Sequence, residues 1–263
     1  MNPANLLWRI ALVRPRNPLN IGAAARAMAN FGFRNLVVVE PYDPVWQESR
    51  SAVGAGDVLR SARTAATLAE ALSDVTLVVG TTSGQRRALD RELISLDQLR
   101  PWIQRQARHR KAALLFGSEK TGLSNENLSY CHVLVRIPTT RECPSMNLGQ
   151  AVAVCCYELG KRKRAAARSD GESASVAARG ATLSPPATIQ SLEHVFGRAV
   201  RVLDGAGYLK PNSREAVIVR LRRMFMERGF SSHDAKILGG ILAQIEWKMG
   251  KTATSSAGIP QES

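Results

Sequence analysis

Between residues 7 and 160, short apolar runs alternate with segments of helical periodicity, and this alternation restricts the fold more than any other feature of the sequence. The runs are rich in Val, Leu and Ile and lack the polar alternation of half-exposed strands, so they predict strands covered by helices on both faces. They are Leu7–Val13, Asn35–Glu40, Val75–Gly80, Ala112–Gly117 and Val133–Ile137. Helices are predicted between them at Ile21–Phe31, Val58–Leu72, Ser95–Arg108 and Asn147–Lys161. This order predicts an α/β domain with a mostly parallel sheet.

The composition changes after Leu159, and the change divides the chain. A basic cluster at Lys161–Arg164 extends the preceding helix, and the residues after it have few large apolar side chains, which is typical of a linker. Helical periodicity returns from Ile189 in three segments. We therefore predict an α/β domain over residues 1–164, a flexible linker over 165–187, a small all-α domain over 188–250 and a disordered tail over 251–263.

The charge of the chain favours a polyanionic partner. There are 36 Lys and Arg residues against 22 Asp and Glu, a net charge of +14. The basic excess is spread over residues 1–160, 161–187 and 188–263, so several parts of the molecule are expected to contact the polyanion. Nucleic acid and an acidic membrane both fit such a charge. The chain has no run approaching the ~20 apolar residues of a spanning helix, so a membrane is disfavoured.

Cysteine and histidine spacing argues against a disulfide framework and a metal site. Cys131, Cys143, Cys155 and Cys156 show neither CxxC spacing nor histidine partners at zinc-site intervals. The N-terminal residues lack the basic segment that opens a secretory signal. We predict reduced thiols, no bound metal and a cytoplasmic location.

The first segment with chemical potential follows the first predicted strand and reads PRNPLNIGAAARAM, from Pro15 to Met28. Asn20 is predicted to cap the following helix, and Gly22 with three alanines permits close approach of a backbone or a ligand. Arg26 lies nearly two helical turns after Asn20, so both side chains can face one surface. The alternative is a small-residue helix packed on the sheet, with Arg26 in a surface ion pair.

The second segment, Leu115–Ser124, follows the fourth predicted strand and reads LFGSEKTGLS. Gly117 and Gly122 bracket Glu119 and Lys120 at the carboxyl end of a strand, which is where open α/β sheets bind ligands. The segment is neither a P-loop nor a dinucleotide fingerprint, which disfavours a nicotinamide dehydrogenase. The alternative is a turn that leads into a helix at Ser124.

The third segment runs from Ile137 to Val152, where a strand ends at Pro138, a polar loop follows and a helix starts at about Asn147. Ala151, Val154 and Cys155 give this helix a smooth face, as in a buried or subunit-contacting helix. Ser145 or Asn147 can also be read simply as a cap. A weaker feature is the loop Gly80–Gly84, which either wraps a nucleoside or is only a connection.

Taken together, the three segments resemble the three motifs of the SpoU-type branch of the SPOUT methyltransferase superfamily. Within that branch, residues 9–160 and the C-terminal LRRMFMERG…ILGGIL are most similar to the TrmJ-type tRNA 2′-O-ribose methyltransferases. The resemblance implies a sheet that ends in a trefoil knot, S-adenosylmethionine bound in that knot, and a homodimer whose active sites are completed across the interface. It makes 1–164 the catalytic, cofactor-binding and dimerisation domain and 188–250 an RNA-binding domain.

The resemblance also assigns roles to residues of this chain. The residues around the transferred methyl and the target ribose would be Arg26, Asn20, Glu119 and Asn147. The cofactor pocket would comprise Thr81, Thr82, Ser83, Gly117, Ile137, Pro144, Ser145 and Met146. Pro144 stands where the family usually has serine, and Met146 where it has leucine, so a hydroxyl is missing at position 144 while backbone contacts survive.

The resemblance makes Arg26 the residue expected to assist the reaction, and no histidine lies in a motif that could serve instead. A guanidinium with a pKa above about 12 is a poor general base, so we favour a cation that orients the hydroxyl and stabilises developing alkoxide. A true base role, with an RNA phosphate helping to release the proton, is the rival. Glu119, within its glycine turn, is expected to accept hydrogen bonds from backbone amides or to pair with Arg26.

The substrate implied by the resemblance and the charge is tRNA, at the anticodon-loop nucleotide at position 32. A single-stranded loop exposes its nucleotides in a way that paired RNA does not. Candidate phosphate contacts are Arg16, Lys161, Arg162, Arg164, Arg198, Arg201, Arg220, Arg222 and Arg223. The alternatives are a ribosomal RNA 2′-O-methyltransferase of the same branch and a non-catalytic RNA-binding or assembly factor with the same fold.

Overall fold

A computed structural model describes residues 6–43, 46, 54–83, 92–106, 109, 111–166 and 184–256. Within these residues, seven strands form one sheet: β1 (Leu7–Val13), β2 (Asn35–Val39), β3 (Arg63–Ala65), β4 (Leu77–Thr81), β5 (Leu93–Ser95), β6 (Lys111–Phe116) and β7 (Val133–Arg136). The strand order is β3-β2-β1-β6-β4-β7-β5, and all neighbouring strands are parallel. The predicted α/β class is confirmed, while the trefoil knot stays a prediction.

Helices cover both faces of this sheet, and the last two helices pack on other helices. The helices of the described residues are α1 (Pro18–Asn30), α2 (Gly56–Ser61), α3 (Leu68–Ala71), α4 (Leu96–Arg105), α5 (Asn125–Ser129), α6 (Leu148–Ala166), α7 (Ile189–Gly205), α8 (Arg214–Arg228) and α9 (Ser232–Ser256). Alternate strand residues enter two separate apolar clusters, one on each face of the sheet. Ile10 and Leu12 lie in one cluster and Ala11 and Val13 in the other, which explains why β1 is apolar apart from Arg9, whose buried guanidinium donates to Asp74 at 2.6 Å.

The prediction of one helix over Val58–Leu72 is wrong. The segment forms α2, then the edge strand β3, then the single turn α3. Thr67 caps α3, because its hydroxyl accepts a hydrogen bond from the backbone N–H of Glu70. The strand β5 has no counterpart among the predicted strands. Both β3 and β5 have three residues and are the outermost strands of the sheet, so each pairs with only one neighbouring strand. Neither carries an apolar run of its own, and the sequence pattern therefore does not indicate them.

The helices α1 and α6 pack closely because their contact is made of small residues. A Cβ atom added to Gly149 would lie 2.7 Å from the Cβ of Ala23. Ala24, Ala25 and Cys155 are fully buried in the same cluster. This contact places the N-terminus of α6 beside the N-terminal half of α1, so the first and third sequence motifs meet.

The C-terminal helices share an apolar cluster with the sheet domain. Ile189 and Leu192 of α7 are buried with Leu72 and Val75, and the backbone N–H of Ile189 donates to the carbonyl of Val75 at 2.9 Å. Deleting these helices would therefore expose part of a core.

The ends of the C-terminal elements differ from the predicted boundaries. The helix α9 continues to Ser256, six residues into the segment predicted as a tail, and α6 continues to Ala166. Residues 167–183 of the predicted linker and 257–263 of the predicted tail lie outside the described residues. Among the described helices, none combines the length and the apolar character needed to cross a membrane.

Candidate functional site

Three side chains from the three sequence motifs form one hydrogen-bonded group, which we call the amide–carboxylate cluster. Asn20 donates from Nδ2 to Oε1 of Glu119 at 2.8 Å, and Asn147 donates from Nδ2 to Oδ1 of Asn20 at 2.9 Å. Glu119 also accepts from the backbone N–H groups of Arg16 at 2.9 Å and Asn17 at 3.3 Å. The cluster therefore fixes the mutual positions of α1, the loop after β6 and the start of α6.

The prediction that Asn20 caps α1 is wrong. The cap is Asn17, whose side chain accepts from the backbone N–H of Leu19 at 2.9 Å, and Pro18 is the first helical residue. Proline is favoured there because its fixed φ suits the helix and the first turn needs no donor from it. Asn20 lies inside the first turn, so its amide is free to join Glu119 and Asn147.

Asn147 has two functions in the structure. Its Oδ1 accepts from the backbone N–H of Gly149 at 2.9 Å, as expected of a cap for α6, while its Nδ2 donates to Asn20. Because an asparagine amide has a donor end and an acceptor end, these two bonds fix its orientation.

The hydrogen bonds around Glu119 keep it ionised. Burial by itself raises the pKa of this carboxyl, but the bonds donated by Asn20 and by the amides of Arg16 and Asn17 outweigh burial and hold the pKa below its ordinary value. Of the two partners predicted for Glu119, backbone amides are the ones found.

Replacing Glu119 with glutamine is expected to destabilise the fold by about 1 kcal/mol and to reduce turnover at least tenfold. One oxygen becomes an NH₂ group that faces a donor, and the orientation of Asn20 and Asn147 is lost. Because the folded pKa lies below the unfolded one, ionised Glu119 stabilises the fold above the ordinary carboxyl pKa. That contribution disappears as the pH falls through the lowered value. Urea unfolding from pH 3 to 7 measures the difference between the two proteins.

The matched control is Glu126→Gln, which changes an exposed carboxylate in the first turn of α5. It should leave turnover unchanged. A Glu119→Gln protein with wild-type turnover would show that the cluster has no part in activity.

A cavity of about 590 Å³, which we call the central cavity, opens at the carboxyl ends of the strands. All eight residues predicted to contact a cofactor line it. They are contributed by the loop 81–83 after β4, by Gly117 after β6, and by Ile137 with the turn 144–146 after β7. Glu119 lines it as well, so the amide–carboxylate cluster borders this cavity.

Hydrogen bonds to backbone carbonyls shape the rim of the central cavity. The hydroxyl of Thr81 donates to the carbonyl of Leu115 at 2.8 Å, so it ties β4 to β6. The hydroxyl of Thr139 donates to the carbonyl of Pro144 at 3.1 Å and closes the loop after β7. The loop after β6 is closed by the backbone N–H of Gly122, which donates to the carbonyl of Ser118 at 2.8 Å.

Arg26 lies outside the central cavity of its own chain. It is exposed on α1, six residues beyond Asn20, and within the described residues it makes no hydrogen bond or ion pair. The alternative pairing of Glu119 with Arg26 is therefore not found. Since no described residue pairs with it, this exposed guanidinium is available to a group that approaches α1 from outside the chain.

Arg222, which is predicted to contact RNA, is enclosed by protein side chains in the structure. Its side chain is buried, donates from Nε to Oε1 of Glu193 at 3.0 Å, and stacks on the rings of Tyr130 and Phe196 at 4.6 and 4.5 Å. Arg222 thus joins α8 and α7 to the residue that ends α5. Burial and the charge of Glu193 raise the pKa of Tyr130 to about 12.

The other predicted RNA contacts differ in how free their charges are. Arg198 and Arg201 both pair with Glu246, and Lys161 pairs with Glu158. Arg223 lies 3.8 Å from Glu227. Arg16 and Arg220 are exposed. The side chains of Arg162 and Arg164 lie outside the described part of the structure.

Sequence reasoning missed cations beside the central cavity. Lys120 lines it, Arg141 is exposed in the loop 138–147, and Arg136 is exposed at the carboxyl end of β7. The available signal is their position directly after predicted strands, at the ligand-binding edge of the sheet.

These features define a class of protein. A parallel sheet covered by helices, with a cavity and an ordered polar cluster at the carboxyl strand ends, is an α/β enzyme domain that binds its ligand at that edge. Within the described residues, no group of His, Cys, Asp and Glu side chains is arranged to hold a metal ion.

Comparison with known proteins places the chain within that class. Residues 8–157 match the SpoU rRNA Methylase family, and residues 190–256 match the C-terminal domain of the tRNA methyltransferase TrmJ. The tRNA (cytidine/uridine-2′-O-)-methyltransferases TrmJ of Cronobacter sakazakii and Salmonella typhimurium are each 36% identical over 90% of this chain, covering 95% and 96% of their own lengths. The crystal structure of TrmJ from Z. mobilis ZM4 superimposes with a TM-score of 0.76 at 30% identity, covering 90% of this chain and 98% of that one.

The chain belongs to the SpoU methylase family. The relatives and the C-terminal match identify the TrmJ proteins as the members it resembles over nearly its whole length.

Proposed function

We propose that this protein transfers a methyl group from S-adenosylmethionine to a ribose 2′-hydroxyl of tRNA. The observation that carries the proposal is the amide–carboxylate cluster, in which all three family motifs are joined by hydrogen bonds at the edge of the central cavity. The names of the TrmJ relatives supply the substrate class.

The central cavity suits a cofactor that has an aromatic ring and a polar chain. Leu123, Leu128 and Val135 give it an apolar wall, while Thr82 and Ser83 lie on its polar side. The carbonyl of Pro144 is engaged by Thr139, so this turn is held by its backbone despite the missing hydroxyl. When bound, S-adenosylmethionine supplies an electrophilic methyl group on a sulfonium.

The residues of the chain then orient the accepting hydroxyl. Ionised Glu119 fixes the amide of Asn20, which in turn fixes Asn147, so these polar groups are ordered before RNA arrives. Preorganised dipoles of this kind stabilise charge that develops during reaction without having to reorient. Arg26 supplies the cation.

Arg26 requires a second protomer to act in this way. Leu19, on the helix α1 that carries Arg26, is 56% exposed, and Tyr157, on α6, is 46% exposed. A homodimer joined through these helices would cover both side chains and bring Arg26 of one protomer to the site of the other.

The free thiols fit the cytoplasm, where tRNA is modified.

The test is mass spectrometry of nucleosides from tRNA and ribosomal RNA incubated with the protein and S-adenosylmethionine. A cofactor-dependent 2′-O-methylated nucleoside from tRNA, mapped to anticodon-loop position 32, supports the proposal. Methylation of ribosomal RNA alone would favour the alternative of a ribosomal RNA 2′-O-methyltransferase. Tight RNA binding without any methylation would favour a non-catalytic factor.

Binding of tRNA is expected to depend steeply on salt through cations beside the central cavity. Replacing Lys120 and Arg141 together with alanine should lower the slope of log Kd against log salt by about 0.7 for each phosphate that the variant no longer neutralises. Filter binding between 50 and 300 mM KCl measures this slope.

The control removes the same charge from the opposite edge of the sheet. Arg34 directly precedes β2, and Arg63 begins β3, so both lie at the amino ends of parallel strands and both are exposed. The Arg34→Ala/Arg63→Ala protein should keep the wild-type slope. An equal decrease of the slope in both proteins would show that only net charge matters.

A further inference from the structure

A second cavity of about 560 Å³ lies beside the central cavity at the same edge of the sheet. It is formed by the residues that follow β1 and β2, among them Arg14, Arg16, Glu40 and Tyr42. The two cavities share Ser118, Thr121 and Gly122, so the closed loop after β6 forms a wall between them. None of the residues predicted to hold the cofactor lines it.

The backbone of the second cavity is held in an unusual conformation. Arg14 and Glu40, each directly after its strand, have φ of 52° and 45°. This left-handed region costs a residue with a side chain about 1 kcal/mol or more, so it persists only where neighbouring contacts enforce it. Backbone bonds from Arg14 to Val39 at 2.8 Å and from Tyr42 to the carbonyl of Pro15 at 3.1 Å provide that support. Backbone hydrogen bonds therefore join the loop after β1 to the strand and loop of β2.

The side chains on the rim of the second cavity are of the types that proteins use to bind nucleotides. The guanidinium of Arg16 lies 5.3 Å from the centre of the Tyr42 ring, and that ring is 74% exposed. Arg14 is exposed and lies 3.7 Å from Glu40. An exposed aromatic ring stacks on a base, guanidinium groups bind phosphate, and a carboxylate accepts from an exocyclic amino group.

The second cavity is connected to the amide–carboxylate cluster through the backbone. The N–H of Arg16 donates to Oε2 of Glu119, and the N–H of Asn17 donates to its Oε1. A ligand held by the Arg16 side chain is thus fixed relative to Glu119 and Asn20.

We propose that the second cavity binds a nucleotide of the RNA that neighbours the methylated one. Tyr42 stacks on its base, Arg14 and Arg16 contact the phosphates on either side, and Glu40 accepts a hydrogen bond from the base. This proposal rests on the proposed function, because it takes the RNA to enter the central cavity. The Arg16–Tyr42 pair then positions the substrate. The preference of the protein for a particular base next to the methylated nucleotide arises from the second cavity.

The test uses a set of RNA stem-loops with the anticodon-loop sequence of a substrate tRNA, each with 2-aminopurine at one loop position. Stacking on Tyr42 should quench the fluorescence of one position on binding to the full-length wild-type protein. Tyr42→Ala should abolish that quenching and raise the KM for RNA roughly 5- to 100-fold. The kcat and the affinity for S-adenosylmethionine should stay within about twofold, since no cofactor-pocket residue changes. Tyr42→Phe should retain quenching and KM.

The control is Leu7→Ala, which removes an apolar side chain 67% exposed at the amino end of β1, far from both cavities, and should change neither readout. Wild-type KM and quenching in Tyr42→Ala would overturn the proposal while leaving the methyltransferase function intact. Conversely, Tyr42-dependent quenching without methylation of any RNA would support the binding site and contradict the proposed function.

Discussion

Replacing Arg26 with alanine is expected to lower turnover about 100- to 1000-fold, the effect of removing one charge-stabilising group from an active site. The affinity for S-adenosylmethionine should change less than about threefold, because Arg26 does not line the central cavity of its own chain. The fold should be unaffected, since the side chain is exposed and makes no hydrogen bond or ion pair within the described residues. Single-turnover methylation and isothermal titration calorimetry with the cofactor measure the two quantities.

Two variants separate the charge of Arg26 from other effects. Arg26→Lys should recover part of the missing rate, because it keeps the cation but lacks the planar fork of donors. Arg34→Ala, which changes an exposed arginine at the opposite edge of the sheet, should keep the wild-type rate. If Arg26→Ala reduced turnover and cofactor affinity equally, Arg26 would belong to the cofactor site and the assignment would fail.

The sheet can be predicted because each buried strand carries its own signal. The predicted bounds of β1, Leu7–Val13, are those of the structure, since residues facing both clusters are apolar. The edge strands β3 and β5 cannot be predicted in this way. Their pairing depends on a neighbour distant in sequence, and Arg63–Ala65 contains no apolar run.

The amide–carboxylate cluster depends on contacts that sequence spacing does not contain. Glu119 is 99 residues from Asn20, and Asn147 is 127 residues from Asn20. Family resemblance groups these residues, but it does not give their bonds. The capping residue of α1 is ambiguous in the sequence because Asn17 and Asn20 both precede an apolar helical pattern, and Pro18 decides between them.

Charge in the sequence is a poor guide to the RNA surface. Arg222 lies in the basic stretch RLRR, yet the rings of Tyr130 and Phe196 and the carboxylate of Glu193 enclose it. None of these three partners is on its own helix, so no local pattern indicates the burial. Lys120 shows the opposite case, because a single cation in a glycine turn carries no charge pattern although it lines the central cavity.

Among substitutions that add a single methyl group to the site, Gly117→Ala is expected to be the most damaging. A Cβ atom at this position would lie 2.0 Å from the carbonyl carbon of Gly122 and 2.2 Å from the backbone nitrogen of Leu123. Backbone cannot rotate away as a side chain does, so the closed loop after β6 must open. That loop lines both cavities and carries Glu119. We expect a loss of about 1–3 kcal/mol of stability and at least 100-fold weaker binding of S-adenosylmethionine.

The control for this prediction is Gly32→Ala, which separates backbone strain from collision. Gly32 has a φ of +77° and no atom within 4 Å of an added Cβ, and it follows the C-terminus of α1 without lining either cavity. Its replacement should cost about 1 kcal/mol through the left-handed conformation alone and leave cofactor affinity unchanged. Thermal unfolding and calorimetric titration of both variants give the comparison. The added carbon forces the loop after β6 to move. Wild-type cofactor affinity in Gly117→Ala would therefore mean that this loop does not form the cofactor site.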